Sequence, residues 1–179
     1  MLARGQRVVD LGCWPGGWLQ EAARSVGPGG RVVGIDRVAV DPPLEIENVF
    51  ALEGDIEDPH ICERILKVLG SRCDVLLSDA APKLTGVRET DRAAEERLLE
   101  AVESMIPQLI REGGSLLLKL LECPEAQAFQ HRMRDAFEQV KTVKAKATRK
   151  GSSERYLLAR GYRSPVPAGF VPEAEGSAQ

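Results

Sequence analysis

The sequence has no run approaching the ~18 to 20 uninterrupted apolar residues of a membrane span, and its N-terminus lacks the charged, apolar and small-residue blocks of a secretory signal. No membrane partner is expected, and the cytoplasm is the expected compartment. Cysteine is sparse: Cys13, Cys62, Cys73 and Cys123 are scattered, with no C-x-x-C pair and no histidine at ligand spacing, which argues against a zinc site or a disulfide framework. Histidine is rarer still. His60 and His131 each stand alone in polar helical surroundings, so neither leads as a catalytic candidate. No internal repeat is present. Nor is there a surplus of positive charge of the kind that meets nucleic-acid phosphates, since the formal net charge is −3.

The distribution of charge says more than its sum. From Lys141 to Arg163 eight basic residues (Lys141, Lys144, Lys146, Arg149, Lys150, Arg155, Arg160, Arg163) stand against one acid, Glu154. On charge alone this is equally a solvated edge and a surface for a polyanion.

A length of 179 residues fits one domain, and 43% hydrophobic residues suffice for one core. Short apolar runs at 7–11, 31–36, 48–52, 74–78 and 115–121 alternate with amphipathic stretches at 17–25, 58–69, 89–111 and 124–138. That alternation predicts an α/β fold with a mostly parallel sheet. Two further strands at 140–145 and 155–159, joined by a tight turn at Lys150-Gly151, bring the count to seven and make the last strand antiparallel. Gly27-Pro28-Gly29-Gly30 and Gly113-Gly114 read as turns leading into the second and fifth strands. Residues 1–163 form the predicted domain, and the proline-bearing tail at 164–179 reads as disordered.

The first strand runs through Val8-Val9-Asp10-Leu11-Gly12-Cys13-Trp14-Pro15-Gly16-Gly17-Trp18 directly into a helix, the place where open α/β sheets bind nucleotides. The spacing is not G-x-G-x-x-G, so a dinucleotide pyrophosphate is not the natural guest. Asp36, Asp55 and Asp79 close the second, third and fourth strands. Each alone is an ordinary turn or cap aspartate, but three acids on one sheet edge point to a ligand: Asp36 for ribose hydroxyls, Asp55 for an adenine amino group, Asp79 for a sulfonium end. Trp18 is equally a core aromatic and a cofactor contact.

Lys119 interrupts Ser115-Leu116-Leu117-Leu118-Lys119-Leu120-Leu121, a run that otherwise belongs in a central strand. One reading is a lysine that snorkels to solvent. The other is a general base, made neutral by burial and a cationic neighbour and held in place by carboxylates.

With Ser78-Asp79-x-Ala81-Pro82, Gly113-Gly114-Ser115 ahead of Lys119, and Ser153-Glu154-Arg155-Tyr156, these motifs resemble, in order and spacing from Arg7 to Arg160, the FtsJ-type ribosomal RNA 2′-O-methyltransferases. The resemblance implies a Rossmann-like fold and S-adenosylmethionine as cofactor, bound by Gly16, Trp18, Asp36, Asp55 and Asp79. It implies a catalytic set of Lys119, Asp79 and Glu154 and no metal. The implied partner is ribosomal RNA or the large ribosomal subunit, the implied target a uridine, and the implied state a monomer. Alternatives are tRNA or an mRNA cap as substrate, or a degenerate cofactor-binding module associated with RNA or the ribosome. A small-molecule methyltransferase would need neither the basic stretch nor the strand lysine.

The family also carries a further tetrad lysine in a basic segment upstream of the first strand. Only six residues precede Arg7 here. The expectation is a truncated sequence, or a protein that works without that segment; on the first reading this chain binds cofactor normally but methylates RNA poorly, and adding the upstream segment restores activity. Lys83, where the family has a polar amide, is a candidate replacement charge and equally an exposed loop lysine.

Overall fold

The computed structural model describes residues 1–82, 85–121, 123–144 and 154–163. Seven strands and four helices follow in the order β1 (Arg7–Leu11), α1 (Gly17–Val26), β2 (Arg31–Asp36), β3 (Val49–Glu53), α2 (Ile61–Leu69), β4 (Cys73–Ser78), α3 (Arg88–Leu109), β5 (Ile110–Leu121), α4 (Pro124–Ala136), β6 (Phe137–Val143) and β7 (Glu154–Tyr162). They build one sheet of order β3-β2-β1-β4-β5-β7-β6. Pairings from β3 to β5 are parallel, and β7 runs antiparallel to both β5 and β6. The fold is thus the expected Rossmann-like α/β arrangement. The chain winds outward from β1 in one direction to β3, then returns to β4 and β5 on the other side. The β1/β4 boundary is therefore the topological switch point, where a crevice opens at the carboxyl ends of the strands.

The central strands read as unbroken apolar runs because both their faces are covered. Val9, Leu11, Val33 and Ile35 join one core with the inner stripes of α2, α3 and α4, among them Ile65, Leu99, Val102, Met105 and Phe129. Val8, Val32, Val75 and Leu77 alternate to the other face and pack under α1 with Leu19, Ala22 and Val26. The two-residue period of the strands splits one apolar sequence between two cores.

Several boundaries differ from expectation. α2 begins at Ile61 rather than Asp58, because Asp58 is spent in the preceding turn, where its Oδ1 accepts the His60 amide at 2.9 Å. β5 begins at Ile110, directly after α3, so Gly113-Gly114 lie inside the strand rather than in a turn before it. The register slips there, Cys73 pairing Ile110 and Val75 pairing Ser115, and the extra residues form a bulge that glycines tolerate. β6 spans Phe137–Val143, earlier than predicted, because Phe137 is buried beside Tyr162 and starts the pairing with β7. The Lys150-Gly151 turn, Lys83 and the 164–179 tail lie outside the described residues.

Candidate active site

The switch-point crevice holds a cavity of about 410 Å³ lined by residues that include Gly12, Trp14, Ile35, Asp36, Gly54, Ile56, Asp79, Pro82 and Leu98. Its walls come from the ends of successive strands. Gly12 has φ +78°, and a Cβ there would lie 2.6 Å from Ala80 Cα, so only glycine lets the turn after β1 approach the β4 loop this closely. Asp36 is held by two amides, Oδ2 accepting from Trp14 at 3.0 Å and Oδ1 from Val38 at 2.9 Å. These bonds fix its carboxylate at the cavity wall. Apolar Ile35, Ile56 and Leu98 line the same cavity as Asp36 and Asp79, which suits a flat ring carrying polar groups.

Asp79 follows β4 and meets Lys119 from β5. Lys119 Nζ donates to the Asp79 backbone oxygen at 2.8 Å and lies 3.1 Å from its Oδ1. The lysine side chain is only 12% exposed and does not snorkel away; the carboxylate is 36% exposed and lines the cavity. Tyr156, directly opposite Lys119 in the β5–β7 register, donates its hydroxyl to Asp79 Oδ1 at 3.2 Å. Its ring packs against Trp18 at a centroid distance of 6.0 Å. Antiparallel β7 therefore presses a third group onto the pair that parallel β4 and β5 bring together.

The other candidates divide. Trp18 is half-buried in the α1 core and touches Tyr156 rather than the cavity. Gly16 caps α1 in the left-handed region, φ 105°, beneath Val40 and Leu44, so it shapes the turn without lining the cavity. Asp55 is engaged by Arg37 at 2.8 Å and by the Glu57 amide at 2.9 Å. Burial works against its charge, but the amide and the guanidinium outweigh it and hold the carboxyl below the usual carboxylate range. It flanks the cavity, whose wall at that point is Ile56 and Glu57. Glu154 begins β7 with its backbone paired to Leu121; its side chain lies outside the described residues. Of the basic stretch, Lys141, Lys144, Arg155, Arg160 and Arg163 are exposed on and beside β6 and β7, and Lys146, Arg149 and Lys150 lie outside the described residues. No cluster of His, Cys, Asp or Glu among the described residues forms a metal site, and no described helix is long and apolar enough to cross a membrane.

Two residues were missed by sequence reasoning. Trp14, 55% exposed, lines the cavity mouth; its place in the glycine turn was a signal that an aromatic stands where ligand arrives. Asp10 is fully buried in β1, and neither carboxylate oxygen has a hydrogen-bond partner. Burial first, then the negative charges of Asp79 and Asp36, push its carboxyl up to about 7. Burial foremost, then the charges of Asp10 and Asp36, push the neighbouring Cys13 thiol up to about 12, leaving it an inert core group.

Comparison with known proteins gives this geometry its family. The profile of the FtsJ-like methyltransferases matches residues 1–162. The chain belongs to that family. A relative from Methanothermobacter thermautotrophicus, named ribosomal RNA large subunit methyltransferase E, is 36% identical over 163 residues, covering 91% of this chain and 77% of that protein. A relative of the same name from Syntrophobacter fumaroxidans is 39% identical over 158 residues, covering 88% and 79%. Among solved structures, a ribosomal RNA methyltransferase from Plasmodium falciparum superposes with a TM-score of 0.76 at 24% identity, covering 90% of this chain and 89% of that one. Fibrillarin from Aeropyrum pernix, crystallised with natively bound S-adenosyl-L-methionine, gives a TM-score of 0.62 at 17% identity, covering 88% and 67%. At these identities the superpositions establish a shared fold. This FtsJ-like methyltransferase therefore carries its Asp79–Lys119–Tyr156 cluster at the switch point of a methyltransferase sheet.

Proposed function

We propose that this FtsJ-like methyltransferase transfers the methyl group of S-adenosylmethionine to a ribose 2′-hydroxyl of large-subunit ribosomal RNA, a uridine by the family resemblance. The observation that carries the reading is the largely buried Lys119, held by two oxygens of Asp79 at the edge of a nucleoside-sized cavity. S-adenosylmethionine fits that cavity chemically: an apolar lining for adenine, the Asp36 carboxylate for ribose hydroxyls, and Asp79 for the cationic portion. Bound there, it supplies an electrophilic methyl.

The protein's own task is to make a poor nucleophile react. A neutral amine keeps two N–H bonds and one lone pair. At Lys119 Nζ two directions are taken by the Asp79 backbone oxygen and Oδ1, so in its amine form the lone pair would be left for the incoming hydroxyl. With the cofactor bound, Lys119 Nζ would take the hydroxyl proton as the ribose oxygen accepts the methyl group in place of the sulfur leaving group. Tyr156 keeps Asp79 in the rotamer that aims the lysine. Glu154, whose register position places it two residues from Tyr156 on β7, is assigned as the further acid of the set. Gly16, Trp18 and Asp55 are assigned to the cofactor side as supports of the turn, the first helix and the adenine end. The exposed basic residues of β6 and β7 supply salt-dependent phosphate contacts, and residues 1–163 form the catalytic unit.

The affinity for S-adenosylhomocysteine should fall about tenfold or more in Asp36→Ala, the worth of a hydrogen bond to a charged group. Calorimetry on a variant whose melting curve is intact checks this, and unchanged affinity removes Asp36 from the cofactor site. Tyr156→Phe should lower turnover roughly two- to tenfold through a less firmly held Asp79; unaltered turnover would leave the tyrosine a packing role only. For the function as a whole, labelled cofactor incubated with separated ribosomal subunits lacking the modification should mark large-subunit RNA. Labelling confined to small-subunit RNA or tRNA would contradict the substrate assignment.

A further inference from the structure

A second cavity, of about 440 Å³, lies on a different face of the α3 N-terminal turns and is lined by Arg88, Asp91, Arg92, Glu95, Leu121, Cys123 and Pro124. Resting on the 2′-O-methyltransferase reading above, we propose that this groove receives the nucleobase of the nucleotide being methylated, with Glu95 accepting the imide N–H of a uracil-type base.

Position comes first. The cofactor cavity is walled by Asp79 and, from α3, by Ala94, Arg97 and Leu98, whereas the groove is walled by the adjacent Glu95 and by Leu121, two residues beyond Lys119. The Lys119–Asp79 pair thus neighbours both: Asp79 walls the first cavity, and Leu121, two residues along β5 from Lys119, walls the second. A ribose whose 2′-oxygen reaches Lys119 Nζ has the methyl donor on one side, and its base extends into the other. The groove's volume lies in the range that holds small ligands. Its rim is fixed, because Asp91 accepts from the Thr85 amide at 2.7 Å and the Gly86 amide at 3.0 Å and so pins the loop that leads into α3.

Chemistry comes second. Glu95 continues the α3 packing stripe of Leu98, Leu99, Val102, Met105 and Ile106, where an apolar side chain would serve stability better, yet it is an acid only 3% exposed. Its Oε1 accepts the Leu121 amide at 3.2 Å, and Oε2 receives no hydrogen bond from any described residue. Glu95 lines the groove, so Oε2 is open to a partner that arrives there. Burial raises the pKa of this carboxyl, opposed by the Leu121 amide and by the Lys119 charge. Arg92 is anchored by an ion pair with Glu125 on α4, and Arg88 lies one helical turn before it. Glu95 is thus the acceptor offered to the N3–H of a uracil-type base, and the two arginines lie together on its N-terminal side. Cytosine would instead aim its N3 lone pair at the carboxylate, and a site built on hydrogen bonds rejects such a mismatch strongly.

Uridine and cytidine 5′-monophosphates, titrated into the protein saturated with S-adenosylhomocysteine and followed by NMR, test the assignment. The wild type should prefer the uridine nucleotide about tenfold or more. Glu95→Gln keeps Oε1 for the Leu121 amide and turns the second position into a donor, so the preference should vanish or reverse toward cytidine. Glu95→Leu should bind the two nucleotides alike. S-adenosylhomocysteine affinity should remain unchanged throughout. Equal binding of the two nucleotides by the wild type, or a wild-type preference surviving in Glu95→Gln, overturns the proposal. If RNA ribose is methylated in a Lys119-dependent way while the nucleotides do not discriminate, the base pocket fails alone. If the wild type methylates no ribose, the functional reading fails, and the nucleotide titration still decides what the groove binds.

Discussion

Replacing Lys119 with methionine is expected to reduce single-turnover methyl transfer by roughly two to four orders of magnitude, the usual contribution of a positioned general base. S-adenosylhomocysteine affinity should stay within a few-fold of wild type, because Lys119 is not part of the cavity wall and acts on the hydroxyl only as it reacts. Methionine preserves the apolar stem between Leu118 and Leu120, so the strand has no steric reason to unfold. Arginine should fail as well. Its guanidinium keeps the proton at any accessible pH and has no lone pair to offer. Labelled cofactor in single turnover measures the loss, and a methionine variant close to wild type would take Lys119 out of the chemistry.

The second large effect concerns stability. Asp10 is enclosed in β1 with no partner for either oxygen, its carboxyl moved from 3.8 up to about 7 by burial and by the charges of Asp79 and Asp36. Between pH 4 and pH 7 the unfolded chain has released this proton and the native protein retains it. The native state therefore loses stability as pH rises through that window, and the loss levels off above it. Asp10→Asn removes the titration while keeping the shape. Between pH 5 and pH 8 the stability of the variant relative to wild type should rise by about 2 to 3 kcal/mol. Urea unfolding at the two pH values reads that change, and the constant cost of burying the amide drops out of the comparison. An identical stability difference at both pH values would show that Asp10 does not titrate in this range.

Strand positions and the switch point were legible because the strands are apolar without interruption and end in acids. Lys119 stood out by the same rule, a charge inside an apolar run, and the structure gives it Asp79 as partner. Asp10 obeys that rule too, a charge within the apolar run of β1, fully buried in the structure. Glu95 was hidden: on a helix rich in acids, only the three-dimensional position separates the one that faces inward from Glu96 and Glu100, which face solvent. The Tyr156–Asp79 contact depends on the β5–β7 register, which is set by pairing between distant segments and cannot be read from local periodicity. Asp55 showed the converse. Its strand-end position looked like a ligand contact, but Arg37, one residue beyond Asp36, claims its carboxylate.

The account's central claim is that the methyl group reaches a ribose oxygen, and the product itself tests this most directly. RNA from large ribosomal subunits lacking the modification, treated with the protein and isotopically labelled S-adenosylmethionine, can be digested to nucleosides and resolved by mass spectrometry. The account predicts label in a 2′-O-methylnucleoside, uridine by the family resemblance, and its loss with Lys119→Met. Label in a base-methylated nucleoside, or in no nucleoside at all while the cofactor remains bound, would contradict it.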